Sequence, residues 1–365
     1  MALKNDDFVL KKFPLFCNSR YTRNETFARE TVYPLVSGLV SWWSCFLQRS
    51  TGADGKLLLE DWNPTDPDAS HEGQPVKNPM IGIAFAKRFA SVQIELVKAL
   101  GMPAGSDADA VEIMNSLVDF PLAKQGDPAL NGSSGKPWVG WSDATVKASD
   151  MFALYPVWPT EFVSRASDAI VLDTTRRSSK VYSHFASGRP VEIFPAAVRA
   201  GFSSKDGTGW KPEEVLDGLA VSLLHLGCCD TNMLPYAPGG GVENVGVSRA
   251  VNEMLVVAPE GLFIELFPFW PAQETASFST LRTKGGWLVS ASKASGVVSG
   301  VTIEATVPGT VRLVDPWAGA AEAAATIACS PAPASPPVPI TSAGGQQGLL
   351  TWTMSVGQGC KVSNK

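Results

Sequence analysis

A chain of 365 residues, 45% hydrophobic and 18% charged, has enough apolar material for one large or two ordinary domains, which excludes a disordered segment. Its net charge of −5 argues against nucleic acid or an anionic membrane surface as the main partner. The 27 prolines and 11 tryptophans are high counts; tryptophan beside proline and glycine in loops suits stacking on sugar rings, although most tryptophan in any fold is core.

Six cysteines (Cys17, Cys45, Cys228, Cys229, Cys329 and Cys360) contain no CxxC pair, and the adjacent Cys228 and Cys229 lack a zinc spacing. They read mostly as buried thiols, with a disulfide or two left open. His71, His184 and His225 are scattered, so neither a metal site nor a Ser-His triad is expected, and no cofactor is implied. Met1 to Arg20 holds no apolar stretch of signal-peptide length, and no run approaches a membrane span.

The first periodic element lies in Asn24 to Leu47, where Val32, Leu35, Val36, Leu39, Val40, Trp43, Phe46 and Leu47 recur at helical spacing. A long polar loop follows from Glu60 to Gln74, dense in acids and turn formers. Long loops between helices are more often functional than filler. A second helix is expected to start at Asn78-Pro79, as N-cap and N1, and to stop at Gly101. A third starts at Ser106. Residues 125 to 141 form a Gly/Pro/Ser-rich loop with Trp138 and Trp141. Phe152 to Pro159 separates two further helical stretches, and Pro190 and Pro212 each open another.

The glycine cluster Gly239-Gly240-Gly241 then leads through Val242-Glu243-Asn244 into the apolar stripe Val247, Val251, Met254, Leu255. A carboxylate and an amide therefore sit where a permissive loop meets a helix start, a position that also suits the helix dipole. About seven helices result, in an all-α pairwise arrangement with long loops on one face. From Gly261 the period becomes two: Leu262, Ile264 and Leu266, then Trp287, Val289 and Ala291, then Val301, Ile303 and Ala305, then Val311 and Leu313. This predicts an antiparallel meander. Ala318 to Gly345 reads as an Ala/Pro-rich linker, and Leu349 to Val356 as a last strand that rejoins the sheet.

The order GGGVEN, NEML, FPFWP, ASFSTLRTKGGWLVSAS, VRLVDPW resembles the C-terminal half of family 95 glycoside hydrolases and their six-hairpin relatives. The acidic loop ending His71-Glu72-Gly73 and the segment Phe152-Ala153-Leu154-Tyr155-Pro156 extend the likeness upstream, so that it covers roughly residues 20 to 317. The LRTKGG block is its more specific part; NEML alone is weak. The resemblance implies a mainly α protein with a C-terminal β domain: a partial (α/α)6 toroid over residues 1–258, then a small antiparallel β-sandwich over 259–365 with the insertion at about 318–345. The family's N-terminal sandwich and first barrel helices have no counterpart here. A partner segment completing the barrel is therefore an expectation, and no compartment is assigned, although the family is often secreted or periplasmic.

The implied activity is inverting hydrolysis of a terminal sugar, fucose being the familiar one, from an oligosaccharide or polysaccharide. Glu72 stands where the family carries its general acid, with Asp66 and Asp68 as competitors in the same loop. Glu243 would be the base, with Asn244 holding the water or a sugar hydroxyl; the family's usual segment reads Asp-Gly-Asn-Phe-Gly, whereas this chain has Glu243-Asn244-Val245-Gly246. Trp62, Trp138, Trp141 and Trp158 are the stacking candidates, with packing on the barrel rim as the alternative for each, and Asn63, His71 and Gln74 the hydroxyl-binding ones. Arg282 reads as an ion-pair or domain-contact residue. Two other readings remain: a non-catalytic carbohydrate-binding remnant or pseudoenzyme, and a structural module completed by another chain.

Overall fold

A computed structural model of the chain describes residues 19–63, 76–124, 126–127, 135–146, 151–182, 190–225, 245–317, 325–331, 338–340 and 348–364. The described residues divide into two compact units, one within 25–250 and the other within 251–364 together with 19–24. The first is helical and the second is β, apart from short elements in each.

Seven α-helices of nine residues or more occur among the described residues. Helix α1, Tyr33–Phe46, follows a π-turn at Ala28–Val32 and buries Val36, Leu39, Val40 and Trp43, the stripe that its spacing predicts. Two short hairpins come next. Strands β1 (Gln48–Thr51) and β2 (Leu57–Glu60) pair with each other, as do β3 (Trp62–Asn63) and β4 (Val76–Lys77).

Helix α2, Met80–Ala99, is the central element of this unit. Every residue from Met80 to Ala90 is buried, so the helix is covered on all sides over three turns. It ends before Gly101, whose φ of +60° is the left-handed conformation that glycine adopts without strain. Its start differs from the expected cap. Pro79 rather than Asn78 is the capping residue, and Asn78 turns its side chain to accept the Asp61 N–H at 2.9 Å. The competing bond to the preceding hairpin takes the side chain away from the helix. Helix α3, Ala108–Ser116, packs on α2 through Ala110 and Ile113.

Helix α4, Ala169–Val181, is capped by Asp168, whose carboxylate accepts from Ile170 N at 3.0 Å and Val171 N at 2.9 Å. Helices α5 (Pro190–Ala200) and α6 (Pro212–His225) open on the prolines that the sequence marks, with the paired strands β5 (Phe202–Ser203) and β6 (Thr208–Gly209) between them, and α7 (Val245–Leu255) follows.

The β unit has two antiparallel sheets around one apolar core. The five-stranded sheet runs β13 (Ala325–Ser330), β16 (Gly359–Asn364), β11 (Val297–Ala305), β10 (Trp287–Ala294), β9 (Ala276–Thr283), and the three-stranded sheet β12 (Gly309–Val314), β15 (Leu349–Met354), β14 (Val338–Ile340). Strands β10 and β11 pair as the alternation predicts, but β9, which it does not mark, precedes them, and β12, expected beside β11, lies in the other sheet, where it pairs with β15. Trp287, Val289 and Ala291 of β10 point inward, as do Val311 and Leu313 of β12 (Gly309–Val314) and Leu350, Trp352 and Met354 of β15 (Leu349–Met354). At the β9–β10 turn Gly285 and Gly286 have φ of +94° and +87°, and a Cβ on Gly286 would lie 2.4 Å from Val307 Cγ2. The GG of the LRTKGG block is thus a steric requirement. Strand β9 breaks register with β10 at Ser279-Thr280, where Thr280 takes φ of +53° and donates its N–H to Ser290 Oγ at 2.9 Å.

Three further expectations are corrected. The strand predicted from Gly261 is a 3-10 turn, Pro259–Gly261, followed by the two-residue strand β8, Glu265–Leu266, paired with β7 (Val256–Val257). Ile264 is buried because it bonds alongside β12, to Arg312 O at 2.7 Å and from Val314 N at 2.8 Å; Leu262 is left exposed. The Ala/Pro-rich segment is not all linker: β13 (Ala325–Ser330) and β14 (Val338–Ile340) lie within it. Pro339 is tolerated because β14 is an edge strand. A further strand, β16 (Gly359–Asn364), follows the predicted last one and joins the other sheet. Cys329 and Cys360, left open as thiols or a pair, are disulfide-bonded, and Cys45 is an exposed thiol.

Candidate active site

The two hairpins and the start of α2 anchor the acidic loop. Trp62 pairs with Lys77 and Asn63 with Val76, so the chain leaves for residues 64–75 and returns from them at one place. Below that junction Asp61 is buried, and its carbonyl accepts the Asn78 N–H at 2.6 Å. Beside it Glu60 meets Lys77 Nζ at 2.7 Å. Burial by itself would raise the Glu60 carboxyl, but hydrogen bonds from Lys77 and Asn78, the Lys77 charge and a Ser50 hydroxyl together hold it below its ordinary value.

The Asp61 carboxylate sits against the first turn of α2. A Cβ on Gly82 would fall 1.8 Å from Asp61 Oδ2. Alanine normally stabilises a helix interior relative to glycine by about 0.5–1 kcal/mol. Here overpacking should dominate, so Gly82→Ala is expected to lower stability by about 1–3 kcal/mol. Gly38→Ala on α1, where a Cβ meets nothing within 4 Å, should instead raise it. Urea midpoints of the two variants, moving in opposite directions, check both signs.

Glu72, His71 and Gln74, with Asp66 and Asp68, lie outside the described residues, as do Glu243 and Asn244. Asn63 stands in β3. Trp62 is 41% exposed at the hairpin, with Lys77 Nζ 5.4 Å from its ring centroid. Trp138 is 4% exposed, its N–H donating to Ser178 Oγ at 3.0 Å and its carbonyl accepting the Tyr182 hydroxyl at 2.8 Å. That side chain packs edge-on against Phe120 at 5.9 Å. Trp141 is half-buried. Trp158 is half-buried, followed by a cis bond to Pro159, and has the Arg199 and Arg249 guanidinium carbons each 5.9 Å from its ring.

Those two arginines belong to a buried cluster that the sequence reading does not find. Glu161 Oε1 accepts from Arg249 Nη2 at 2.6 Å and from Arg199 Nη2 at 3.3 Å, and Oε2 lies 3.8 Å from Arg88 Nη2. Arg88 comes from α2, Arg199 from α5 and Arg249 from α7, so one carboxylate ties three helices of the unit together. Arg199 also donates to the Val157 carbonyl. Local turns set the carboxylate in place: Val163 N bonds Pro156 O at 2.8 Å, and the Thr160 hydroxyl bonds Tyr155 O at 2.6 Å. Glu161 itself has φ of +55°, uncommon for a residue with a side chain. Such conformations cost about 1–3 kcal/mol each and persist where the surroundings over-determine them. Glu161 is the only charged residue between Met151 and Ser164, which is the one sequence signal that could have marked it. With its carboxylate engaged by guanidiniums, Glu161 serves as a tie between helices.

Among the described residues no group of three His, Cys, Asp or Glu is placed to hold a metal, and no helix is long and apolar enough to cross a membrane. No family model matches the sequence. No curated protein matches it either. Among solved structures, one provisionally described as a kojibiose phosphorylase from human microbiome is similar to it at 9% identity and a TM-score of 0.44, over 82% of this chain and 46% of that one. The chain therefore spans under half the length of that protein.

Proposed function

We propose that the chain forms the C-terminal part of an inverting glycoside hydrolase that removes a terminal sugar, fucose being the first to try, from an oligosaccharide or polysaccharide. Glu72 is the general acid, Glu243 the general base, and Asn244 orients the attacking water. In this mechanism the acid protonates the leaving oxygen while the base activates water on the opposite face, with the two carboxyls roughly 6.5–9.5 Å apart. The observation that carries the reading is the β3–β4 pair. It anchors both ends of the loop bearing Glu72 at the start of α2, beside the exposed ring of Trp62. An exposed aromatic face at the base of the loop whose sequence carries a candidate acid suits stacking on a sugar ring. The motif order from Glu243-Asn244 through the LRTKGG turn supports it, as does a helical unit followed by a β unit. A partial (α/α)6 toroid is the arrangement this reading assigns to the helices.

Glu243→Gln tests it directly. On a panel of aryl glycosides the wild type should release phenol and the variant should be slower by about 10²–10⁴-fold, the usual contribution of a positioned base. Equal turnover by the two proteins would reject the assignment of the base.

One observation favours a second reading, a non-catalytic sugar-binding module. Seven helices of nine residues or more among the described residues are fewer than a twelve-helix toroid contains. On that reading the wild type turns over no glycoside, yet free sugars still quench its tryptophan fluorescence through Trp62.

A further inference from the structure

The Cys329–Cys360 disulfide belongs to the β unit. Strand β13 is the outermost strand of the five-stranded sheet, and its partner there is β16. Its exposure alternates between half-buried and exposed, with no fully buried residue, and only Ala325, Ile327 and Cys329 pack against the core. Strand β16 is different: Cys360 and Val362 are buried, and its other side is held by β11. Cys329 and Cys360 stand directly opposite each other, with Cα atoms 4.0 Å apart. One covalent bond thus joins a weakly packed edge strand to a firmly packed neighbour.

We propose that this disulfide is a redox latch: it holds β13 on the sheet when oxidised, and its reduction releases β13 while β9, β10, β11 and β16 stay paired. The two sulfurs are unequal. Cys360 is 2% exposed whereas Cys329 is half-buried, so a thiolate reaches Cys329 first. A dithiol reductant attacks Cys329 Sγ, the S–S bond breaks, and Cys360 leaves as a thiolate that takes up a proton. The second thiol of the reductant then attacks the mixed disulfide, and Cys329 leaves in turn. Two electrons pass from dithiol to disulfide, the protein gains two thiols, and the reductant closes into its own disulfide. Once free of the bond, β13 keeps, among the described residues, its ladder to β16, three half-buried side chains and, just past its end, the Gln358 Nε2 bond to the Pro331 carbonyl; edge strands held this lightly open at low free-energy cost.

Hydrogen exchange on the full chain, with and without dithiothreitol and under native conditions, is the test, with alkylation mapped to Cys329 and Cys360. Both thiols should label after reduction, and amides of residues 326–330 should exchange at least about tenfold faster. Those of β10 and β11 should keep their protection, and reoxidation should reverse the change. The Cys329→Ser/Cys360→Ser variant should show the faster exchange without reductant. Three results would overturn the proposal: no labelling at either cysteine, labelling with β13 exchange unchanged, or loss of protection in β10 and β11 together with β13.

Discussion

Replacing Glu161 with glutamine is expected to destabilise the helical unit by about 3–5 kcal/mol, the usual cost of breaking a buried ion pair from one side. The amide keeps the shape of the side chain and removes its charge. Arg88, Arg199 and Arg249 then face one another around a neutral group. Arg88 and Arg199 are buried, so water cannot screen their repulsion as it would at the surface. The left-handed backbone at residue 161 also loses the contacts that hold it there. For a unit of this size the melting temperature should fall by roughly 6–20 °C. Far-UV circular dichroism on heating measures it, and a change below about 2 °C would show that the cluster is not a structural centre. Adding Arg88→Met should make the double variant less unstable than the sum of the single ones, since each change removes the reason the other is costly.

The second large effect concerns Glu72 and depends on the leaving group. If Glu72 protonates the departing oxygen, Glu72→Gln should slow hydrolysis of a glycoside with a poor leaving group by about 10²–10⁴-fold. A dinitrophenyl glycoside of the same sugar needs little protonation and should lose far less. Paired kcat/KM values for the two substrates provide the check. A similar loss on both would remove Glu72 from the acid role while leaving it available for binding. The comparison separates chemistry from folding, because an unfolded variant loses both activities equally.

The helices were legible because each answers to a local rule. The α1 stripe repeats at helical spacing, Gly101 stops α2, and Pro190 and Pro212 open α5 and α6. The β10–β11 pair was legible because Trp287, Val289 and Ala291, then Val301, Ile303 and Ala305, alternate on one buried face, whereas the parting of β12 into a second sheet was not, since alternation says nothing of which strand pairs with which. Strands β13 and β16 were not, since neither carries enough apolar alternation to outweigh the Ala/Pro bias around the first or the shortness of the second. The Glu161 cluster was hidden for another reason. Its hydrogen-bonded arginines stand 38 and 88 residues away in sequence, so no local pattern joins them. Of the site, the loop and its anchoring tryptophan could be read from residue types. The pairing of Trp62 with Lys77 could not, because it closes over a segment whose length gives no register.

The kink at Thr280 has a consequence for the protein in a crowded solution. Strand β9 is one outer border of its sheet, and a straight border of that length would offer an eight-residue template of free amides and carbonyls to any other strand. With Thr280 turned left-handed and its N–H given to Ser290 Oγ, the template is cut near its middle. An incoming strand can match one half of β9 or the other, and neither half is long enough to seed a stable intermolecular ladder. A single irregular residue thereby helps keep a half-exposed edge strand from joining copies of the protein into fibres.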